Sequence, residues 1–318
     1  MPFIDILNLK SHATFVSLHD NRDPSDKEPE PTIRVTDLTR HMRDEDLHSL
    51  VRQYIRIEKP TLATARELIK PPTKVTTHPR MGLWEYVADL SGVAITAAFE
   101  LKNVEGVHEN EHVRAIWFAR QTALYEAENS GYNFRYLQLK KQQWKPFGWL
   151  VGFLDRAVER ITGEVTQEGK IAMEDLQYEQ EFSSWLKHSI PNRVEPELTG
   201  RADIIFVPKD GSRATIWEIK LVQSLKLEHV AQIVQYGYLW AENHRDAPFP
   251  RLLLFNVLDG ERWEICTTKE EASKFVMGIL HAKRTRTRLT DDEFRRQYEK
   301  TADEAQSIVD KMPRPKKV

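Results

Sequence analysis

The chain has 318 residues, with 46 Lys and Arg against 48 Asp and Glu and a formal net charge of −2. That length gives room for one large or two modest domains with a substantial core, and a pI of about 6.6 confines any nucleic-acid-binding surface to a local patch. The single cysteine, Cys266, excludes a disulfide framework and a cysteine zinc site, and no apolar run reaches membrane-spanning length.

Residues 1–36 read as an N-terminal tail and linker: an apolar piece from Phe3 to Leu9, then an acidic, proline-bearing stretch from Asp20 to Thr32. They lack a signal-peptide pattern. Residues 37–145 read as a mainly helical domain. Asp37 or Thr39 suits a helix cap, and Leu47, Leu50, Val51, Tyr54 and Ile55 recur at helical spacing. Lys59-Pro60 ends that helix, and another fits Thr61 to Ile69. Trp84 to Glu100 is apolar with mixed period, which leaves helix and strand both open. His112 to Asn129 has the spacing of a long helix. His108, Glu109, Glu111 and His112 at its start lack a converging third ligand and read as a solvated helix entrance. Arg135 to Lys145 mixes Lys140, Lys141 and Lys145 with Tyr136 and Trp144, a stripe able to contact phosphates and stack bases.

Residues 146–282 read as an α/β core. Pro146 to Ile161 is amphipathic, with Phe147, Leu150, Val151, Leu154, Val158 and Ile161 inward. Gln177 to Phe182 alternates as a strand does, placing Tyr178, Gln180 and Phe182 on one face and Glu179 and Glu181 on the other. Residues 201–207 are an apolar strand carrying one acid, Asp203. Lys209-Asp210-Gly211-Ser212 is a turn signal. Residues 214–221 are a second strand, with Glu218 and Lys220 on the face opposite Trp217 and Ile219. A helix follows, about Leu225 to Asn243, in which Gln232 and Tyr236 share a face. Arg251 to Val257 and Arg262 to Thr267 are further strands around Asp259-Gly260, and Lys269 to Ala282 is a covering helix.

Burying charge on a strand is costly unless it is paired or binds metal. The hairpin would gather Asp203, Glu218 and Lys220. Two carboxylates form a hard oxygen site suited to Mg²⁺, and the lysine adds a fixed positive charge where a water is oriented or phosphoryl charge develops.

Asp203, Glu218-x-Lys220 and Gln232-x-x-x-Tyr236, in a Gly200-Arg201-Ala202-Asp203 context, resemble the PD-(D/E)xK nuclease superfamily, in particular its RecB-like branch. The resemblance covers about residues 145–281. It implies a restriction-endonuclease-like core, a mixed sheet of about four to five strands flanked by helices. It implies Mg²⁺ or Mn²⁺ held by Asp203, Glu218 and the main-chain carbonyl of Ile219. Lys220 would orient the attacking water, and Gln232 and Tyr236 would support the site and touch the substrate backbone. Ala202 stands where the family has proline. Glu179 or Glu181 is the candidate for an additional site acid; Glu195 and Glu197 are weaker ones.

Glu-x-Lys occurs three times, at Glu100–Lys102, Glu168–Lys170 and Glu218–Lys220. The first copy also has Asp89 upstream and Gln121-x-x-x-Tyr125 downstream. Only the third joins two β-rich strands by a clear turn, with a helix directly after.

Residues 283–318 form a basic segment, a charged helix and a tail. Lys283, Arg284, Arg286 and Arg288 could track a phosphate backbone, and Thr290 with Glu293 forms a capping box for a helix to Lys311. The expected function is metal-dependent hydrolysis of phosphodiesters, with DNA as the substrate and no membrane partner. The alternative is a non-catalytic nucleic-acid-binding or scaffold protein that retains the fold. An intracellular location is expected, with Pro313-Arg314-Pro315-Lys316-Lys317-Val318 as a candidate nuclear import signal.

Overall fold

The structure, a computed structural model, describes residues 32–39, 42–59, 74–78, 83–101, 110–129, 133–166, 170–186 and 196–285, with isolated positions between 296 and 310. In chain order these form β1 (Thr32–Arg34), α1 (Val35–Thr39), α2 (Asp44–Tyr54), β2 (Arg56–Glu58), β3 (Lys74–His78), β4 (Leu83–Tyr86), α3 (Val87–Glu100), α4 (Glu111–Asn129) and α5 (Asn133–Lys141). Then come α6 (Phe153–Val165), β5 (Leu176–Trp185), β6 (Glu197–Phe206), β7 (Thr215–Lys220), α7 (Leu227–Asn243), β8 (Arg251–Asn256), β9 (Arg262–Cys266) and α8 (Lys269–Thr285). Among the described residues no helix is long and apolar enough to cross a membrane.

The fold is α/β. A mixed seven-stranded sheet runs in the order β1-β6-β7-β8-β9-β2, with β5 paired to the outer side of β6. Strand β8 shows why the sheet lies between two helical layers. Leu252 and Leu254 pack into one core and Leu253 and Phe255 into the other. A strand apolar on both faces is stable only when both are covered. Helices α3, α4 and α6 cover one face through Phe99, Phe118, Phe153 and Ile161. Helices α1, α2, α7 and α8 cover the other through Leu38, Leu47, Ile233 and Phe275. Arg160 of α6 donates to the Val257 and Leu258 carbonyls at 2.6 and 2.8 Å, pinning that helix to the end of β8.

Several sequence expectations change here. The sheet exceeds four to five strands because the N-terminal residues add to it: β1 pairs parallel with β6 and β2 antiparallel with β9. Residues 32–58 are therefore part of the core sheet and its covering layer, not a linker followed by a separate helical domain. Strands of three residues are too short to display an alternation. Trp84 to Glu100 splits into strand and helix. In α3, Ala94, Ile95, Ala98 and Phe99 are buried at helical spacing. The helix expected over Pro146–Ile161 is broken: a 3₁₀ turn over Lys145–Leu150 ends before Gly152, whose φ of 66° starts α6. Lys283 and Arg284 of the expected basic segment fall in the last turn of α8, while residues 61–69, 286–288 and 313–318 lie outside the described residues, as does most of the expected C-terminal helix.

The feature that positions the site is a fork in the sheet. One edge of β6 pairs with β5 along its whole length. Its other edge pairs with β1 at Glu197–Thr199 and with β7 at Ile204–Phe206. Residues 200–203 fall between these two ladders. The faces switch here as well. Ala202 packs on the α7 side, Ile204 on the α6 side and Ile205 again on the α7 side. On β5, Glu179 has a φ of 50°, and Tyr178 and Phe182 consequently pack into opposite cores rather than sharing a face. A non-glycine residue held at positive φ inside a strand is a local strain that the surroundings must enforce.

Gly200 is needed at the fork for space. A Cβ there would meet Val35 Cγ2 at 2.6 Å, Tyr236 Cε1 at 2.8 Å and Leu239 Cδ1 at 3.1 Å. Gly200→Ala is expected to cost about 1–3 kcal/mol as overpacking, read as a drop of several degrees in melting temperature. A variant that melts with the wild type would show that the Tyr236 ring does not rest against this strand.

Candidate active site

Beyond Trp217 the β6–β7 ladder opens, and a side chain takes over. Asp203 Oδ2 accepts the Ile219 N–H at 2.8 Å, bridging the fork. Alternation on β7 then sends Glu218 to the same face as Ile216, toward α7. Glu218 is 1% exposed. Its Oε1 accepts from Lys220 Nζ at 2.5 Å, and Lys220 also donates to Gln232 Oε1 at 3.0 Å. Gln232 Nε2 donates in turn to the Tyr236 hydroxyl oxygen at 2.9 Å.

The direction of this chain follows from donor chemistry. Lysine has no acceptor, so the Gln232 amide must turn its oxygen to Lys220 and its nitrogen to Tyr236. The Tyr236 oxygen is then an acceptor within the network, and its own proton stays available for donation. Helix α7 supplies both residues because Val230, Ile233 and Gly237 seat it on the sheet. Val230 and Ile233 are fully buried, and a Cβ on Gly237 would come within 2.9–3.1 Å of Phe249 and Leu252.

Asp203, Glu218, Ile219, Lys220, Gln232 and Tyr236 are thus brought together. The competing first copy is not assembled: Asp89 and Glu100 lie on one helix, α3, Gln121 and Tyr125 lie on α4, and Lys102 is outside the described residues. Of the two glutamates on β5, Glu179 is half-buried, pairs with Arg201 at 2.5 Å and lies within electrostatic reach of Tyr236, whereas Glu181 is exposed. Glu197 opens β6 against β1, away from the fork, and Glu195 is outside the described residues. His112 is exposed beside Glu111 at 3.8 Å, and His108 is outside the described residues. In the basic stripe, Lys140 Nζ sits over the Tyr136 ring at 4.4 Å. Sequence reading missed His229, which stands three residues before Gln232 on α7. That spacing was the available signal.

Burial and mutual repulsion dominate the electrostatics. Burial, then the Asp203 carboxyl, pushes Glu218 up to about 8 despite Lys220. Burial also raises Asp203, against the pull of Lys220 and the Ile219 N–H. Burial acts to lower Lys220, but the two carboxyls outweigh it and the lysine stays protonated. Burial and the same carboxyls hold the Tyr236 phenol well above its ordinary value, so it keeps its proton.

Among the described residues no group of three or more His, Cys, Asp and Glu is arranged as a metal cluster. The donors at the fork are two carboxylates and a backbone carbonyl. Glu218 Oε2 is buried and accepts no hydrogen bond, but the proton that Glu218 keeps at neutral pH bonds its carboxyl to that of Asp203. Two adjoining carboxyls that share a proton in this way could exchange it for a hard divalent cation that keeps waters and shares a substrate oxygen.

No family model matches the chain, and no curated protein matches it. Among solved structures, the crystal structure of SSO0001 is similar over 61% of this chain and 85% of that chain, at 16% identity and a TM-score of 0.31. A likeness that slight carries neither fold nor function.

The raised Glu218 gives a signed pH dependence. Without metal, the folded state binds this proton more tightly than the unfolded chain does. The contribution is therefore full below the ordinary glutamate value of 4.5 and is lost as pH rises to about 8. Metal-free Glu218→Gln is expected to melt above the wild type near the upper end of that window. A rise of roughly 2–4 °C corresponds to about 1 kcal/mol in a chain of this order of size. The difference should close toward the lower end. Parallel melting curves for the two proteins across the window would refute a buried, protonated Glu218.

Proposed function

We propose that the chain is a metal-dependent nuclease of the RecB-like PD-(D/E)xK kind, hydrolysing phosphodiester bonds with DNA as its substrate. One observation carries the reading. The acid, acid, lysine, glutamine and tyrosine of the motif share one hydrogen-bonded network at the fork, in which the buried Glu218 carboxyl is bonded to that of Asp203. Two carboxyls packed together out of water are unfavourable as structure alone, and a divalent cation between them would offset both the lost hydration and the repulsion.

Asp203, Glu218 and the Ile219 carbonyl would hold Mg²⁺ or Mn²⁺. Bound there, the ion would supply a water of lowered pKa and neutralise charge on the phosphate. The remaining work falls to the chain's own side chains. Lys220 offers an ammonium group at the mouth of the carboxylate pair, where it orients the attacking water and offsets negative charge as it develops. Its bonds to Glu218 and Gln232 fix that ammonium in place, so little reorganisation is needed. Tyr236, its oxygen held by Gln232, has a proton to donate to a substrate oxygen. Asp203 keeps β6 and β7 joined at the fork through the Ile219 N–H, which fixes the separation of the two carboxyls. Arg201, on the neighbouring residue and paired with Glu179, adds positive charge at the rim.

Labelled linear, circular and single-stranded DNA, incubated with Mg²⁺ or Mn²⁺, tests the proposal. Wild-type protein is expected to cleave at least one form. Lys220→Ala is expected to lose about 10²–10³ in rate, as for a preorganised charge stabiliser, while Mn²⁺ binding by calorimetry persists. Asp203→Ala should lose both cleavage and Mn²⁺ binding. A wild type that binds no divalent metal and cleaves none of these substrates would overturn the nuclease reading in favour of a non-catalytic scaffold.

A further inference from the structure

His229 lies on the face of α7 that carries Gln232 and Tyr236, a position the motif does not explain. It lies in the first turn of α7, and its Nδ1 accepts the backbone N–H of Lys226 at 3.1 Å. That bond satisfies one of the donors a helix start leaves free. It also fixes the tautomer: a nitrogen that accepts carries no proton, so the proton of the neutral ring sits on Nε2. Nε2 has no hydrogen-bond partner among the described residues. Residues 229, 232 and 236 fall on one helical face, and Gln232 on that face touches Lys220 at 3.0 Å. The imidazole stays neutral because burial first, then the Lys220 charge, pushes its pKa down to about 4.

The Lys220 ammonium is thus held on the face of α7 that carries His229, and its charge reaches the imidazole with no hydrogen bond between the two donors. Their common partner must be an acceptor. The Glu218 carboxyl, proposed above as a metal ligand, is bonded to the same ammonium at 2.5 Å. We propose that His229 is a substrate-binding residue of this site, its neutral Nε2–H donating to a non-bridging oxygen of the phosphate that faces Lys220. This rests on the nuclease reading and adds to it a contact specific for a phosphodiester oxyanion. A neutral donor suits the place, because a second cation beside Lys220 would be repelled before substrate arrived.

The alternative role is a helix cap alone, and two substitutions separate the two. His229→Ala removes both functions. His229→Gln keeps a side-chain acceptor at the capping-box position but replaces the rigid ring, so an amide bonded to the Lys226 N–H no longer carries its own N–H where the Nε2–H stands. Melting curves, kcat/KM on labelled DNA, and anisotropy of a fluorescent oligonucleotide with the non-cleaving Asp203→Ala background are the measurements. His229→Gln is expected to melt close to the wild type, yet to lose about 10- to 100-fold in kcat/KM, the range for a hydrogen bond to a charged group. It should also weaken oligonucleotide binding about tenfold in the Asp203→Ala background. Imidazole ¹⁵N spectra should show the Nε2–H tautomer, with Nε2 rather than Nδ1 shifting when the oligonucleotide is added. If wild type cleaves, Lys220→Ala does not, and His229→Gln matches wild type in kcat/KM and affinity, then His229 is only a cap and the proposal is overturned. If wild type neither binds nor cleaves any oligonucleotide, the nuclease reading fails and this inference falls with it.

Discussion

The constraint on which the structure turns is the burial of two carboxyls side by side. Glu218 is almost wholly removed from water, and Asp203 sits close enough to push it further up. Such a pair is unfavourable alone, since each charge loses its hydration and repels the other. Lys220, Gln232 and the Ile219 N–H supply the compensation. None of them is a neighbour of Asp203 in sequence, so the sheet fork and α7 must both be in place before the pair is tolerable.

The fork itself is a backbone device. Because β1 and β7 share one edge of β6, residues 200–203 are left without a strand partner on that edge. The facing part of β7 loses its partner there too, and an unpaired backbone edge inside a protein must be satisfied by other means; the Asp203 carboxyl does this for the Ile219 N–H. The face switch at Asp203 and the positive φ at Glu179 occur at the same level of the sheet. Gly200, one turn of the motif earlier, leaves room for Tyr236 to lie against the strand. Strand geometry, helix docking and site chemistry are therefore coupled over a few residues, and a change at any of them should be felt by the others.

The site is also one-sided. Trp217 and Ile204 send their bulk into the α6-side core, while the polar network faces α7. The described helices between residues 87 and 165 thus support the sheet from behind, outside that network. Their Glu-x-Lys copy is excluded from it by a simple fact of periodicity. Ala94, Ile95, Ala98 and Phe99 bury one face of a helix, and a helix cannot present Asp89 and Glu100 as two strands of a hairpin do.

The sequence by itself determined the α/β class, the strands of residues 201–207 and 214–221, the helix carrying Gln232 and Tyr236, and the set of residues that meet. It could do so because these are local signals: period-two alternation, an Asp-Gly turn and an i, i+4 pair. Only the tertiary structure decided the rest. It recruited Thr32–Arg34 and Arg56–Glu58 into the sheet, which segments of three residues cannot announce. It broke the alternation at Asp203 and chose Glu179 over Glu181 as the acid nearer Tyr236. It also brought His229 into the field of Lys220. These outcomes depend on which edges and faces meet across more than a hundred residues of chain, and side-chain spacing along one segment carries no record of that.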